Sequence, residues 1–229
     1  MMAFPTKRAS FTSDDVEAPT QTIEKDPTTY LDVLKCAFDK HYSEQSDVWT
    51  NDPEMRSFPA LIQGLLKLDP ACSVLDIGCG SGQDVEYFAQ LFSSATGLDL
   101  YPHHYWQIVS QRHSNAIFHR ADFLSYFCDQ KYDLIVDNGC FHHQHPEHQS
   151  AYLKKITCLL NKDGYFALST FKNPNIEERV DANGRLHKYF SDADLLNILS
   201  SVGFQLVHQF DIYRARKKDY YRLSFCEFV

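Results

Sequence analysis

The chain of 229 residues has no apolar stretch long enough to cross a membrane. Its first twenty residues, Met1 to Thr20, also lack the apolar core of a signal peptide, being polar and proline-containing. Residues 1–28 are therefore expected to form a disordered tail. Cys-x-x-Cys is absent. The seven cysteines, Cys36, Cys72, Cys79, Cys128, Cys140, Cys158 and Cys226, are odd in number and scattered. That pattern argues against a disulfide framework or a zinc knuckle, and predicts free thiols in a reducing, cytoplasmic compartment. A surplus of positive charge is missing as well: 22 Lys and Arg face 30 Asp and Glu, for a net charge of −8. Nucleic-acid binders carry a basic face to meet phosphates. Here the only dense basic run is Arg214, Arg216, Lys217 and Lys218, which reads as a solvated turn between two strands. There is no internal repeat and no low-complexity block.

What is present fits one α/β domain with modest additions. A hydrophobic fraction of 44% is enough to build a core. Tyr30, Leu31, Leu34, Ala37 and Phe38 recur at helical spacing, and Pro59 opens a second helix with Leu61, Ile62, Leu65 and Leu66 as its stripe. Strands are expected over 73–77, 95–100, 116–119, 132–137 and 165–170. Trp106, Ile108 and Val109 mark a helix after the second strand; Tyr152, Leu153, Ile156, Leu159 and Leu160 mark one before the fifth. Lys162-Asp163-Gly164 is expected to be the turn into that fifth strand. Ser191, with Asp194 three residues on, caps a last helix that Gly203 ends. Two strands, 204–213 and 220–229, then form a hairpin. Alternating strands and helices imply a doubly wound, Rossmann-like α/β sheet of seven strands, six parallel and one antiparallel from the C-terminal hairpin.

The segment Val74-Leu75-Asp76-Ile77-Gly78-Cys79-Gly80-Ser81-Gly82-Gln83-Asp84 carries the most functional information. An apolar run leads into an acid and three alternating glycines, and Val85, Phe88, Ala89 and Phe92 follow at helical spacing. Glycines at a strand-to-helix turn let main chain come close to a ligand, because no Cβ intervenes. A dinucleotide fingerprint would need Gly-x-Gly-x-x-Gly, and Gln83 stands where its third glycine belongs. The observed Asp-x-Gly-x-Gly-x-Gly instead resembles the cofactor loop of the class I S-adenosylmethionine-dependent methyltransferases. The resemblance runs over roughly 73–229 and implies S-adenosyl-L-methionine as cofactor. It divides the chain into a helical lid over 29–70 and a core over 71–229, together a methyltransferase domain over 29–229.

Ligands of an open parallel sheet sit at the carboxyl ends of its strands. Asp99 ends the second strand, about 20 residues past the glycines; it binds both ribose hydroxyls or caps the next helix. Leu100 and Tyr101 would wall the adenine. The resemblance implies that Asp122 accepts from the adenine amine and that Phe123 packs on the ring; otherwise Asp122 caps the segment 124–127. Asp76 meets the cofactor's amino group or orients the turn, with Gly78, Cys79, Gly80 and Gly82 wrapping the methionine end. Asp137 and Asn138, ending strand four, are expected to contact that same end. Gly139-Cys140-Phe141-His142-His143 resembles a stretch of small-molecule methyltransferases of tellurite-resistance and thiopurine type. His142 or His143 holds the acceptor or takes its proton, or else packs a helix.

His142, His143, His145 and His148 invite a metal reading. Adjacent histidines point in different directions, however, and Pro146 interrupts the run, so no metal is expected. Cys79 and Cys140 have no partner that would lower a thiol pKa and read as small packing residues. Tyr42 and Trp49, with Phe58, are candidates for an aromatic lid over the acceptor, or for packing of the N-terminal helices. The connection 171–190 exceeds ordinary loop lengths and reads as a polar binding loop, with Glu177, Glu178, Arg179, Asp181 and Arg185. Strand four ends in Asp137-Asn138-Gly139-Cys140, without the Asn/Asp-Pro-Pro-aromatic run of nucleic-acid amino-methyltransferases. A small-molecule acceptor is expected, with no nucleic acid and no membrane. The competing readings are a protein methyltransferase and a non-catalytic cofactor-binding relative.

Overall fold

The computed structural model describes residues 22–44, 46–215 and 217–229. The expected tail thus lies outside the described residues as far as residue 21, as does Arg216 of the basic run, while the tail's last residues, Asp26 to Thr28, are not disordered but cap and open a helix. The first helix, α1 (Pro27–Ser43), starts where chemistry favours it. Asp26 accepts from the Thr28 N–H, and Pro27 fills the first turn, where a missing N–H costs nothing. Two short helices follow, α2 (Pro53–Arg56) and α3 (Phe58–Leu65). Only α3 was expected from the hydrophobic stripe; α2 is a single turn, too short to show periodicity, and is announced only by its Asp52-Pro53 cap.

The core then alternates β1 (Ser73–Ile77), α4 (Gln83–Leu91), β2 (Ser94–Asp99), α5 (Tyr105–Arg112), β3 (Ala116–Arg120), β4 (Tyr132–Asn138), α6 (Pro146–Leu159) and β5 (Leu160–Lys172). A small hairpin, β6 (Glu178–Val180) and β7 (Leu186–Lys188), precedes α7 (Asp192–Ser200) and the long strands β8 (Phe204–Arg214) and β9 (Asp219–Phe228). The main sheet has seven strands in the order β3-β2-β1-β4-β5-β9-β8. Neighbours from β3 to β5 pair in parallel, and β9 runs antiparallel to both β5 and β8. Six strands therefore share one direction and β9 opposes them, as the sequence pattern predicts.

The central strands β1, β4 and β5 bury both faces. Val74, Leu134, Val136 and Ala167 face a core with Ile62, Val85, Phe88 and Val109 from α3, α4 and α5. Leu75, Ile77, Ile135 and Leu168 face the other, with Tyr152, Leu153, Ile156 and Leu195 from α6 and α7. That two-sided burial is why the central strands read as continuous apolar runs rather than alternating ones. Phe58 is fully buried in the first of these cores, edge-on to Phe225, so it packs the sheet rather than a lid.

Three local differences from the sequence reading have physical causes. Lys162-Asp163-Gly164 lies within β5 as an irregularity: Tyr132 pairs with Leu160 and Leu134 with Tyr165, and Asp163 takes a left-handed φ of 62°. The segment after Asp122 makes one hydrogen-bonded turn, in which Ser125 and Tyr126 N–H groups reach back to Asp122. The basic turn does not simply face solvent. Arg214 is buried, paired with Asp219 at 2.5–2.7 Å, and its guanidinium lies over the rings of Phe171 and Tyr221. No helix among the described residues is long and apolar enough to cross a membrane, and all seven cysteines carry free thiols.

Candidate active site

Sheet order reverses at β1, whose neighbours β2 and β4 are wound to opposite sides; the crevice of a doubly wound sheet opens at that point. Register makes the edge level. Ile77 pairs with Leu98 on one side and Asp137 on the other, so Gly78, Asp99 and Asn138 come next in a row. A cavity of about 380 Å³ opens there, in the size range of small-molecule sites. Its walls include Gly78, Asp99, Leu100, Asp122, Phe123, Asn138, His142 and His143, with Tyr42 and Trp49 from the N-terminal segment. Of the residues expected from sequence, Asp76, Cys79, Gly80, Gly82 and Asp137 stand behind that wall, and Tyr101 turns away to donate its hydroxyl to the Lys35 carbonyl.

The turn after β1 holds Gly78, Gly80 and Gly82 at φ of 71°, 52° and 84°. These are left-handed conformations that side-chain-bearing residues avoid. Space enforces glycine too. A Cβ on Gly78 would lie 1.9 Å from the Cys140 Sγ, and one on Gly82 would meet the Phe118 ring at 2.8 Å. The turn is fixed from several sides. Gly78 and Cys79 donate N–H groups to the Leu98 carbonyl, Trp106 donates its indole N–H to the Gly80 carbonyl at 2.8 Å, and Gly80 donates to Asp99 at 2.9 Å. The other Asp99 oxygen accepts from the Tyr101 N–H. Burial raises the Asp99 pKa, against the pull of the Tyr101 and Gly80 N–H groups.

Two groups along this edge are short of partners. Asn138 Nδ2 donates to Asp84 and to the Met55 carbonyl, which fixes the amide and leaves Oδ1 buried without a donor. Asp76 is buried, and its carboxylate has no hydrogen-bond or ion-pair partner among the described residues. Burial first, then the nearby Asp84 carboxylate, drives its pKa well above the ordinary range, and Arg56 only partly opposes them. Arg56, at the end of α2, pairs with Asp84 at 2.6 Å and ties the N-terminal helices to this edge.

Asp137 is the structural member of the row. One oxygen accepts from the Gly139, Cys140 and Phe141 N–H groups and the other from the Tyr152 hydroxyl at 2.7 Å. Desolvation outweighs these bonds and raises its pKa to about 6. Its folded pKa therefore exceeds its unfolded one, so the stability it contributes is complete at pH below about 4 and is lost as pH rises through 6. In urea unfolding, the stability of wild type relative to Asp137→Asn is expected to fall by at most about 3 kcal/mol between pH 4 and 7.5. A difference that does not change with pH would mean that the carboxyl ionises normally.

At the cavity's far end the histidines are buried and their tautomers are set by their partners. His143 Nδ1 faces the Leu186 carbonyl at 2.5 Å and so carries the proton. Its bare Nε2 lies 3.2 Å from His142 Nε2, which must donate, leaving His142 Nδ1 bare and without a partner. Burial holds both imidazoles neutral, well below the usual histidine range, with neighbouring cationic and histidine side chains adding to the effect. The His142 ring stacks on Phe171 at 3.8 Å. Tyr30 of α1 secures this corner: its hydroxyl donates to the His143 carbonyl and accepts from the Leu186 N–H. His145 instead accepts from the Glu147 N–H at the start of α6. Among the described residues, no three His, Cys, Asp or Glu side chains are arranged to hold a metal ion.

The expected binding loop between β5 and α7 is the β6–β7 hairpin, which delivers Arg179, Asp181, Arg185 and His187 to the cavity wall. His187 escaped the sequence reading because three-residue strands show no period. Asn183-Gly184 between two short strands is a hairpin signal that could have located it.

The sequence model of the methyltransferase-domain family matches residues 49–209. No curated sequence matches the chain. Among solved structures, the 1,6-didemethyltoxoflavin-N1-methyltransferase of Burkholderia thailandensis, crystallised with 1,6-didemethyltoxoflavin and S-adenosylhomocysteine, is similar at a TM-score of 0.86 and 28% identity, over 95% of this chain and 98% of that one. The magnesium protoporphyrin IX methyltransferase of Synechocystis PCC 6803 gives 0.66 at 17% identity, over 91% and 100%. An N-methyltransferase of Bradyrhizobium japonicum gives 0.60 at 17% identity, over 77% and 97%. The latter two likenesses concern the fold alone.

Proposed function

The chain belongs to the methyltransferase-domain family, and from that membership we propose that it transfers a methyl group from S-adenosylmethionine to a ring nitrogen of a small, flat heteroaromatic acceptor. The observation that carries this reading is the row at the carboxyl edge: bare main chain at Gly78, an acid at Asp99, and a partnerless amide oxygen at Asn138. These groups fit the cofactor. Asp99 takes the ribose hydroxyls, Leu100 and Phe123 wall the adenine, and Asp122 meets its amine. The Asn138 Oδ1 and the main chain of Gly78 receive the positive methionine end, with Asp76, Cys79, Gly80 and Gly82 shaping that turn from behind. Asp137 acts there indirectly, by holding the turn 139–141. When bound, S-adenosylmethionine supplies an electrophilic methyl group on sulfur with a neutral thioether as leaving group.

The protein's share is then proximity, alignment and exclusion of water. The acceptor half of the cavity suits a flat ring with polar edges. Trp49 offers an aromatic side, and the bare His142 Nδ1 offers a hydrogen-bond acceptor, while His143 keeps His142 in that tautomer and the stacked Phe171 fixes its ring. Tyr42, edge-on to Trp49, closes the side above the glycine turn. The likeness to the 1,6-didemethyltoxoflavin-N1-methyltransferase, at 28% identity over nearly the whole chain, supports a nitrogen heterocycle as acceptor. Of residues 29–70, the part before α3 serves as the lid of this domain, while α3 packs with the core over 71–229, and the free thiols fit a cytoplasmic setting. The acidic net charge favours a small molecule over nucleic acid. Incubation with S-adenosylmethionine and 1,6-didemethyltoxoflavin tests the reading by mass spectrometry. A gain of one methyl on the heterocycle is expected; methyl label found only on polypeptide would contradict it.

A further inference from the structure

We propose that His187, held by Asp181, is the base that removes the proton from the acceptor's ring nitrogen as that nitrogen is methylated. The inference rests on the reading of the acceptor as an N–H heterocycle and adds to it a residue and a role. His187 Nε2 lies 3.1 Å from Asp181 Oδ2. A carboxylate only accepts, so Nε2 carries the proton and Nδ1 of the neutral ring is bare. That Nδ1 is buried and has no hydrogen-bond partner, and the residue belongs to the cavity wall. An acceptor N–H seated in the cavity supplies the missing donor.

Asp181 is built to keep this tautomer. One oxygen accepts from the Asn183 and Arg185 N–H groups, and the other accepts from the Arg185 guanidinium at 3.0 Å as well as from His187. Burial opposes its ionisation, but the bonds from His187 and Arg185 win and hold its pKa well below the usual carboxylate range. The His187 ring stacks on Phe171 at 5.6 Å and meets His143 edge-on at 4.8 Å, so it has one orientation.

The charged and titratable groups facing it are Asp181, Arg179 and Arg185 from the hairpin, and His142 and His143 from the segment after β4. Burial, then the two arginines, lower its pKa, against the pull of Asp181. The geometry favours His187 over His142 for this task because only His187 has a carboxylate behind it. A proton on His142 would be backed by neutral His143, which the Leu186 carbonyl holds.

The step balances. The ring nitrogen forms a bond to the methyl carbon as the carbon–sulfur bond breaks, and that electron pair stays on sulfur. The nitrogen's proton passes to His187 Nδ1, and the imidazolium pairs with Asp181 until it releases the proton to solvent. Asp181 is a positioning residue in this scheme.

Two readouts test it on the full chain. In nitrogen-15 spectra of the histidine rings, assigned by loss of a signal in His187→Gln, His187 is expected as the Nε2–H tautomer at pH 7.5. Its Nδ1 signal should shift when S-adenosylhomocysteine and 1,6-didemethyltoxoflavin are added together. A ring protonated at Nδ1 would overturn the proposal. In turnover with 1,6-didemethyltoxoflavin, His187→Gln should lower kcat/KM about 100-fold at pH 7, with S-adenosylhomocysteine affinity unchanged. The deficit should shrink at high pH, where the heterocycle ionises unaided. Asp181→Asn should move the acidic limb of the pH profile to lower pH, a change that a merely structural role would not cause. Wild-type rates in His187→Gln would overturn the proposal. If wild type does not methylate this probe, the acceptor class is wrong, and the ring spectra still decide the tautomer on which the dyad depends.

Discussion

Replacing Asp99 by alanine is expected to weaken S-adenosylhomocysteine binding by about 100-fold or more while lowering Tm by only a few degrees. Hydrogen bonds to a charged group are worth about 1.5–3 kcal/mol each, and a ribose offers two hydroxyls to this carboxylate. Losing both, with partial replacement by water, accounts for a loss of that size. Asp99 also accepts from the Gly80 and Tyr101 N–H groups. Against that loss stands the cost of keeping a desolvated carboxylate, seen in its raised pKa. The net cost in stability is about 1–2 kcal/mol, or roughly 3–6 °C in a chain of this length. Calorimetric titration and a thermal melt of the same sample separate the two effects. Unchanged affinity with a Tm drop above about 10 °C would make Asp99 a purely architectural acid.

The second large effect is expected at Gly78. Alanine there adds a Cβ that would lie 1.9 Å from the Cys140 Sγ, at a φ of 71°. The backbone strain costs about 1–2 kcal/mol and the overpacking about 1–3 kcal/mol. Gly78→Ala should therefore lose about 3 kcal/mol of stability in urea unfolding, and cofactor binding with it. Adding Cys140→Ala removes the sulfur but not the φ. About half of the lost stability should return, giving a favourable coupling of about 1–2 kcal/mol between the two sites. Strict additivity would mean that the turn relaxes away from β4, and that these two strand ends are not rigidly opposed.

How far the fold could be read from the chain depended on the length of each element. The strands β1, β2 and β4 carry apolar patterns set by two-sided burial that locate them within a residue or two, as does the stripe of α7, whereas β5 starts at Leu160, five residues before the expected strand. The glycine turn was legible because positive φ and close contacts leave no alternative residue. Single-turn α2 and the three-residue strands β6 and β7 have no period to detect. Asp181 and His187 were therefore not recognised as a pair, because only the hairpin brings them together. Burial state was equally invisible. Asp137 and Asp99 look alike as strand-end acids, yet the first is enclosed by four donors and the second lines the cavity. Arg214 sits in a basic run that reads as solvated, and only its pairing with Asp219 and its stacking on Phe171 show why it is buried.

The most direct measurement is a calorimetric titration of the purified chain with S-adenosylhomocysteine. The expected result is one site per chain with micromolar affinity. No heat and no saturation at millimolar ligand would contradict the assignment of the glycine turn, Asp99 and Asn138 as a cofactor site.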